Sequence, residues 1–253
     1  MMLVPGIINP VELSYGPLIE VLKRDTNLML KELEVYRGSE VPPPAYSVMT
    51  EAEGTMRAAD EAGVSSFHLV GYSAGGIAAL GAIEGYAGRL KSVTLIEPFG
   101  TGSYESTPVE RAFLERAETV LSLPLAERVA AFLPLNLGEG VEPPAASPGP
   151  PPVWMRSRPL GLEGLIKSAI SARFDHEAFR AFRRPVYIVI GSKSNPAWYS
   201  MRDTLTGLFP NIRTDVFEGL HHLNPPQRMQ PDRFAGALRE IWAEGDALME
   251  RGE

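Results

Sequence analysis

Cysteine is absent from this chain of 253 residues. That absence excludes disulfide bonds, thiolate metal ligands and a cysteine nucleophile together. Positive charge is also scarce, because 24 Lys and Arg residues stand against 31 Asp and Glu residues and the formal net charge is −7. Nucleic acids and anionic membrane surfaces are bound through basic faces. We therefore expect neither nucleic acid nor a membrane among the partners of this protein.

Long apolar runs are missing as well, since no stretch approaches the ~18 continuous apolar residues of a membrane-spanning helix. The opening MMLVPGIINP has no basic segment before its short apolar run, and Pro5 and Gly6 interrupt that run. It therefore lacks the pattern of a signal peptide. An apolar fraction of 44% and a charged fraction of 22% are typical of a globular protein. These features predict a soluble, cytoplasmic protein.

Short apolar runs alternate with helical patterns along most of the chain. The candidate strands are residues 2–4, 33–36, 67–70, 93–96, 186–190 and 214–217. Between the second and third of them, VMTEAEGTMRAADEAG places apolar side chains at spacings of three and four, which predicts a helix ended by Gly63. This alternation predicts an α/β fold with a mostly parallel central sheet and helices on both faces.

The alternation breaks between Gly100 and Arg184. Two helical patterns, TPVERAFLERAETVLSLPLAERVAAFL and LEGLIKSAISARF, flank a proline-rich loop at residues 142–154. We expect residues 101–183 to form a helical cap inserted into a core made of residues 1–100 and 184–253. The proline run is interpreted as a connection between cap helices rather than as an interaction motif.

The stretch FHLVGYSAGGIAAL places Ser73 between a predicted strand and a predicted helix. Gly71 and Gly75 lie two residues before and two residues after it, which is the G-x-S-x-G pattern of a nucleophile elbow. The turn is so sharp that neither position has room for a side chain. It exposes the serine Oγ at a helix N-terminus, where backbone N–H groups favour negative charge. The alternative is a tight turn of small residues without chemistry.

With this motif the chain resembles α/β-hydrolase-fold serine hydrolases over nearly its whole length. The early LVPG resembles the strand end that is often His-Gly in this family, with Pro5 in the usual place of the histidine. The resemblance assigns the two oxyanion-hole N–H groups to Ile7 and Ala74. It also implies a base, an acid and a cap.

For the base, the segment DVFEGLHHLNPP resembles the family's last strand and histidine loop. A Gly-x-x-His pattern starting at Gly219 selects His222, and His221 is the alternative. An imidazole can take the serine proton and return it to the leaving group at neutral pH. His68, inside a predicted core strand, and His176, at the edge of the predicted cap, are interpreted as structural.

The family's usual acid is missing from its expected place. In VYIVIGSKSNPAWYS, Ser194 and Asn195 stand where an aspartate is common, and the next carboxylate is Asp203. Glu97 ends the strand after the nucleophile helix, at the sheet edge that carries the serine, and we expect it to serve as the acid. Asn195 with water, Asp203, or a purely structural Glu97 beside the cap hinge are the alternatives.

The expected function is hydrolysis of an ester-like or related acyl bond of a small, mainly apolar substrate through an acyl-serine intermediate. No metal or organic cofactor is implied. Tyr72, Trp154 and Trp198 are candidates for the substrate pocket. Arg156 and Arg158 are interpreted as solvated surface residues, and binding of a substrate carboxylate is the alternative for them. The alternative function is a ligand-binding or signalling protein that keeps the pocket with little or no turnover, because the usual acid is absent. Neither the substrate identity nor the oligomeric state follows from these residues.

Overall fold

The computed structural model describes residues 1–38, 40–102, 106–145 and 149–252. The strands within them are β1 (Met2–Val4), β2 (Met29–Leu30), β3 (Phe67–Tyr72), β4 (Leu90–Ile96), β5 (Val186–Gly191) and β6 (Ile212–Phe217). They form one sheet in the order β2-β1-β3-β4-β5-β6. Each neighbouring pair is parallel, which confirms the predicted fold class.

Helices follow or connect these strands as expected for parallel crossovers. Their bounds are α1 (Val11–Leu22), α2 (Val48–Glu61), α3 (Ala74–Tyr86), α4 (Pro108–Thr119), α5 (Leu125–Phe132), α6 (Arg158–Ser171), α7 (His176–Ala181), α8 (Pro196–Thr206), α9 (Pro226–Met229) and α10 (Pro231–Glu250). The predicted helix before β3 is α2. It ends just before Gly63, whose φ of 68° suits the left-handed residue that commonly follows a helix. No helix in the described ranges is long and apolar enough to cross a membrane.

The strand predicted at residues 33–36 is wrong. Glu34–Tyr36 form one turn of 3₁₀ helix, and the second strand is Met29–Leu30. The carboxylate of Glu51 accepts hydrogen bonds from the N–H groups of the first two residues of this turn, at 2.7 and 2.9 Å. Val35 is fully buried. The apolar pattern at residues 33–36 therefore reflects burial of side chains and not a strand. The Glu51 carboxylate accepts the backbone hydrogen bonds that a neighbouring strand would have accepted.

Alternating side chains of β5 enter two different cores. Val186, Ile188 and Ile190 pack on the side of α2 and α3. Tyr187 and Val189 pack on the side of α1 and α10. All five are buried. A strand with both faces buried is typical of a parallel sheet covered by helices on each side.

The sheet order reverses direction at β1. The crossover through α1 leads from β1 to β2 on one side, whereas β3 and all later strands lie on the other side of β1. Since α1 and α3 cover opposite faces, a crevice opens where the chain leaves β1 and β3. Ligands of open parallel sheets bind in such a crevice at the carboxyl ends of the strands.

Between β4 and β5 the described residues form α4 to α7 together with short 3₁₀ turns, and we refer to α4–α7 as the inserted helices. Leu137, between α5 and α6, forms an isolated β-bridge with Ser194. The N–H of Gly138 donates to the carbonyl of Lys193 at 2.8 Å. Of the proline-rich loop, residues 146–148 lie outside the described residues, and its end from residue 153 belongs to a 3₁₀ turn.

Candidate active site

Ser73 sits in a turn that only small neighbours permit. Its φ of 53° lies in the left-handed region, which is unusual for a residue other than glycine. A Cβ on Gly71 would lie 2.1 Å from the carbonyl oxygen of Gly75, and a Cβ on Gly75 would lie 2.3 Å from that of Val4. Both distances are too short for any side chain. The two glycines of the motif therefore let the serine stand between β3 and α3.

The side chains of Ser73, His222 and Glu97 form one hydrogen-bonded line. The distance from Nε2 of His222 to Oγ of Ser73 is 3.1 Å, and that from Nδ1 of His222 to Oε2 of Glu97 is 2.6 Å. The three residues are only 2–3% exposed. They come from the carboxyl ends of β3 and β4 and from the loop after β6. This arrangement can move a proton from the hydroxyl to the imidazole while a carboxylate faces the opposite ring nitrogen.

Glu97 is held by the loop that lacks the expected aspartate. Its second oxygen, Oε1, accepts hydrogen bonds from the N–H of Gly191 at 2.6 Å and from the hydroxyl of Ser194 at 2.5 Å. Its own N–H donates to the carbonyl of Val189, and its φ of 44° is again left-handed. Ser194 is thus a donor to the carboxylate. Sequence reasoning singled out this position only for what it lacks.

The other two candidates for the acid have different partners. Oδ1 of Asn195 accepts from the N–H of Ala197 at the start of α8, and Nδ2 of Asn195 donates to the carbonyl of Leu135 at 2.8 Å. Asp203 is exposed and pairs with Arg202 at 2.6 Å. Neither side chain is hydrogen-bonded to an imidazole.

The remaining histidines are engaged elsewhere. Nδ1 of His221 accepts from the N–H of Leu223 at 3.2 Å, and burial lowers the pKa of His221. His68 lies in β3 with Nδ1 2.9 Å from Oγ of Ser92, and burial lowers the pKa of His68 to about 4. His176 begins α7, where its ring packs on a phenylalanine. None of these rings is hydrogen-bonded to the motif serine.

The proposed oxyanion donors flank the serine. Ala74 is the first residue of α3, so its N–H has no acceptor one turn earlier in the helix. Ile7 follows β1 and lines the same cavity as Ser73. Within the described residues neither N–H donates to a protein acceptor. The carbonyl of Ile7 accepts the hydroxyl of Tyr36 at 2.6 Å, a contact that the sequence did not suggest.

Two aromatic rings contact the imidazole of His222. The ring of Trp198 stacks on it with a centroid distance of 4.5 Å and an interplanar angle of 3°, and Tyr72 lies at 5.1 Å on a tilt. The Tyr72 hydroxyl donates to the backbone carbonyl of His222. Burial, together with the Glu97 carboxylate, raises the pKa of Tyr72, and the guanidinium of Arg228 acts in the opposite direction.

Two of the three pocket candidates do not line the cavity, and one arginine is misassigned. The described lining includes Tyr72 but neither Trp154 nor Trp198. Trp198 is fully buried beneath the imidazole, and Trp154 packs beside Arg158. Arg158 is 4% exposed, with its guanidinium 3.8 Å above the ring of Tyr36, so its interpretation as a solvated residue is wrong. Arg156 is exposed as expected.

A cavity of about 290 Å³ contains the motif serine and the imidazole. The segment between β4 and β5 supplies a mostly apolar side made of Phe132, Leu133, Asn136, Pro144, Ala145 and Met155. The core supplies a more polar side that includes Asn9, Ser14 and Arg228. The volume lies at the small end of known ligand pockets. Within the described ranges no group of three His, Cys, Asp or Glu side chains could hold a metal ion.

Comparisons with known proteins agree with this fold. The model of the alpha/beta hydrolase family matches residues 33–237. A thermophilic esterase from Thermogutta terrifontis, solved with malate bound, superposes with a TM-score of 0.69 at 19% identity, covering 96% of this chain and 89% of that one.

Two further solved structures superpose over a similar length. The naproxen esterase (carboxylesterase NP) from Bacillus subtilis has a TM-score of 0.62 at 16% identity, with coverage of 95% and 82%. An alpha/beta hydrolase from Sphaerobacter thermophilus has a TM-score of 0.64 at 22% identity, with coverage of 95% and 91%. At these identities the likeness shows the fold alone. No curated protein sequence matches the chain.

Proposed function

Since this chain belongs to the alpha/beta hydrolase family, we propose that it is a serine hydrolase that cleaves an ester-like bond of a small substrate through an acyl-serine intermediate. One observation carries the proposal: the buried hydrogen-bonded line from Ser73 through His222 to Glu97. A serine hydroxyl is a weak nucleophile unless a base stands within hydrogen-bond reach, and here the base is 3.1 Å away.

In the first half-reaction, Oγ of Ser73 attacks the carbonyl carbon of the ester while Nε2 of His222 takes the hydroxyl proton. The tetrahedral intermediate collapses, the C–O bond to the alcohol breaks, and the imidazolium returns the proton to the leaving alcohol. In the second half-reaction, water attacks the acyl-serine with the same imidazole as base. The products are one carboxylic acid and one alcohol, and the enzyme is regenerated.

Glu97 and Trp198 stabilise the positive charge that forms on His222. The carboxylate accepts the Nδ1–H bond at 2.6 Å, which keeps Nε2 unprotonated in the resting state. The stacked indole offers the negative face of its ring to the imidazolium, a contact worth roughly 1–2 kcal/mol when it is shielded from water. Both contacts strengthen as the proton moves to the ring.

The N–H groups of Ile7 and Ala74 are assigned to the oxyanion. Neither N–H has a protein acceptor among the described residues, and that of Ala74 lies at the positive end of the α3 dipole. Loss of one such donor typically lowers kcat by about 10² to 10³.

We assign residues 101–183 the role of a cap over this site. Its support is the apolar side of the cavity, to which this segment contributes Phe132, Leu133 and Met155. A cavity of this size and lining suits a small ester with one apolar part. The esterases among the structural neighbours favour the same bond type. The proposal retains the expected absence of nucleic-acid and membrane partners and the cytoplasmic location, which cell fractionation tests.

A fluorophosphonate probe tests the proposal directly. We expect one labelled residue, Ser73, and loss of both labelling and ester turnover in Ser73→Ala. The matched control is Ser14→Ala, because Ser14 lines the same cavity but donates to the carbonyl of Asn9, and among the described residues no imidazole is hydrogen-bonded to it. Labelling in Ser14→Ala should persist. A folded wild type that stays unlabelled and hydrolyses no ester would instead favour the ligand-binding function.

A further inference from the structure

The cavity around Ser73 carries one cationic side chain and no carboxylate. Among the described lining residues, Arg228 is the only Lys or Arg, and none is Asp or Glu. The chain as a whole carries a net charge of −7. The Glu97 carboxylate behind His222 opposes Arg228 at Tyr72, but no described lining residue is acidic, so Arg228 is the one full charge among them. At physiological ionic strength the field of this charge reaches about 8 Å.

Arg228 is available to a ligand. It lies on α9, six residues after the imidazole of His222, and its side chain is exposed. Its guanidinium has no hydrogen bond or ion pair with another described residue. Arg233, at the start of α10, differs because it lies 4.1 Å from the ring of Phe217 and donates to Gln230. Of these two arginines, Arg228 is the one that lines the cavity and the one whose guanidinium has no partner among the described residues.

Polar groups gather beside Arg228 on the same side of the cavity. Helix α1 packs against α9 and brings Ser14, with Asn9 just before the helix, to the lining. The segment between β4 and β5 adds apolar lining residues, among them Phe132 and Met155. The lining therefore combines apolar side chains with a polar, cationic group, and the reactive serine belongs to the same lining.

We propose that Arg228 binds a carboxylate of the ligand, and that the substrates of the proposed hydrolysis are therefore small esters that carry a carboxylate, with the rest of the molecule against the apolar side chains of the lining. The inference rests on the proposed ester hydrolysis for its kinetic test, but its binding test does not. A guanidinium suits this role because its planar fork donates two parallel hydrogen bonds to one carboxylate.

The experiment compares esters that differ only by charge. One pair is the butyryl ester of 4-hydroxybenzoate against that of 4-hydroxybenzamide, which places the charge on the alcohol part. The second pair is monomethyl glutarate against the methyl ester of glutaric acid monoamide. In this pair the charge lies on the acyl part. We expect the wild type to have the higher kcat/KM for the carboxylate in at least one pair.

In that pair, Arg228→Gln should lower the carboxylate-to-amide ratio of kcat/KM by about tenfold. Arg228→Lys should retain part of the ratio, because the charge remains while the fork is lost. The wild-type ratio should also fall in about 1 M salt, where screening acts within about 3 Å. The control is Arg233→Gln, which removes an exposed arginine outside the cavity and should leave the ratio unchanged.

A binding measurement separates this inference from the proposed function. Ligand-observed NMR gives the affinities of 4-hydroxybenzoate and 4-hydroxybenzamide without any turnover. If no ester is hydrolysed but the carboxylate binds more tightly and Arg228→Gln removes that preference, the proposed function fails, the ester part of this inference fails with it, and carboxylate binding by Arg228 stands. If esters are hydrolysed but both ratios are at or below one, or Arg228→Gln leaves them unchanged, the inference is overturned and the proposed function stands.

Discussion

Replacing Glu97 by glutamine exchanges one carboxylate oxygen for an NH₂ group and reverses which ring nitrogen of His222 carries the proton. Oε1 of Glu97 accepts two hydrogen bonds, from the N–H of Gly191 and the hydroxyl of Ser194. The glutamine oxygen should keep both of these donors. Its NH₂ group then faces Nδ1 of the imidazole, which must become the unprotonated acceptor. The proton moves to Nε2, the nitrogen that should receive the serine proton.

The magnitude follows from that tautomer. In a Ser-His-Asp triad, replacing the carboxylate by its amide with the geometry intact lowers kcat by about 10⁴. A factor of this size corresponds to about 5 kcal/mol of transition-state stabilisation. We expect Glu97→Gln to lower kcat by about 10³ to 10⁴ and to change KM little. The midpoint temperature of thermal unfolding should stay near that of the wild type, because both buried donors keep an acceptor.

An aspartate introduced at position 194 or 195 tests which of these two positions can replace the Glu97 carboxylate. Ser194 contacts Glu97 directly, so Ser194→Asp in the Glu97→Gln background should restore part of kcat. Asn195→Asp in the same background is the matched control, because the Asn195 side chain points to Leu135 and the start of α8. The assay is steady-state hydrolysis of a neutral short-chain ester by the purified variants, with circular dichroism as the folding check.

Three results would refute this reasoning. Full kcat in a folded Glu97→Gln variant would mean that the carboxylate only anchors the fold. Rescue by Asn195→Asp rather than Ser194→Asp would mean that the acid acts from the other side of the loop. A large loss of stability in Glu97→Gln would mean that the two buried donors do not donate to the amide oxygen.

His222→Ala should lower kcat by at least about 10⁴, whereas His221→Ala should cost less than about tenfold, as measured by ester hydrolysis. Tyr36→Phe removes the donor to the Ile7 carbonyl and should lower kcat about tenfold at similar KM. In the native state the pKa of His68 falls to about 4. Between about pH 4 and 6.5, His68 is therefore protonated in the unfolded chain but neutral in the native state. Stability should therefore fall as the pH falls through this window, by on the order of 3 kcal/mol, and His68→Gln should remove that part in urea titrations.

Each of these expectations has an opposing outcome. The reverse ranking of the two adjacent histidines would reassign the base to His221. An unchanged kcat in Tyr36→Phe would show that the Ile7 peptide keeps its orientation without the hydroxyl. Identical pH profiles of unfolding for the wild type and His68→Gln would assign the acid loss of stability to other groups.

The fold class was predictable because its signals are local. Strands buried on both faces are short, apolar and β-branched, and α2 is amphipathic with a glycine just past its end, so each pattern reports its own structure. The error at residues 33–36 shows where local signals fail. Val35 is buried as a strand residue would be, but the carboxylate of Glu51, from another helix, satisfies the backbone of that turn. Nothing in the sequence of residues 33–36 predicts that Glu51 will be their hydrogen-bond partner.

The site divides in the same way. The strand, the two glycines and the helix around Ser73 are contiguous, so the sequence by itself determined the sharp turn and the residue at its tip. Only the tertiary structure decided which histidine and which carboxylate meet that serine. His222 and Glu97 are 125 residues apart, and their 2.6 Å contact depends on the order and register of β3, β4, β5 and β6. Ångström-scale distances between distant segments are set by the packing of the whole sheet, which no local pattern encodes.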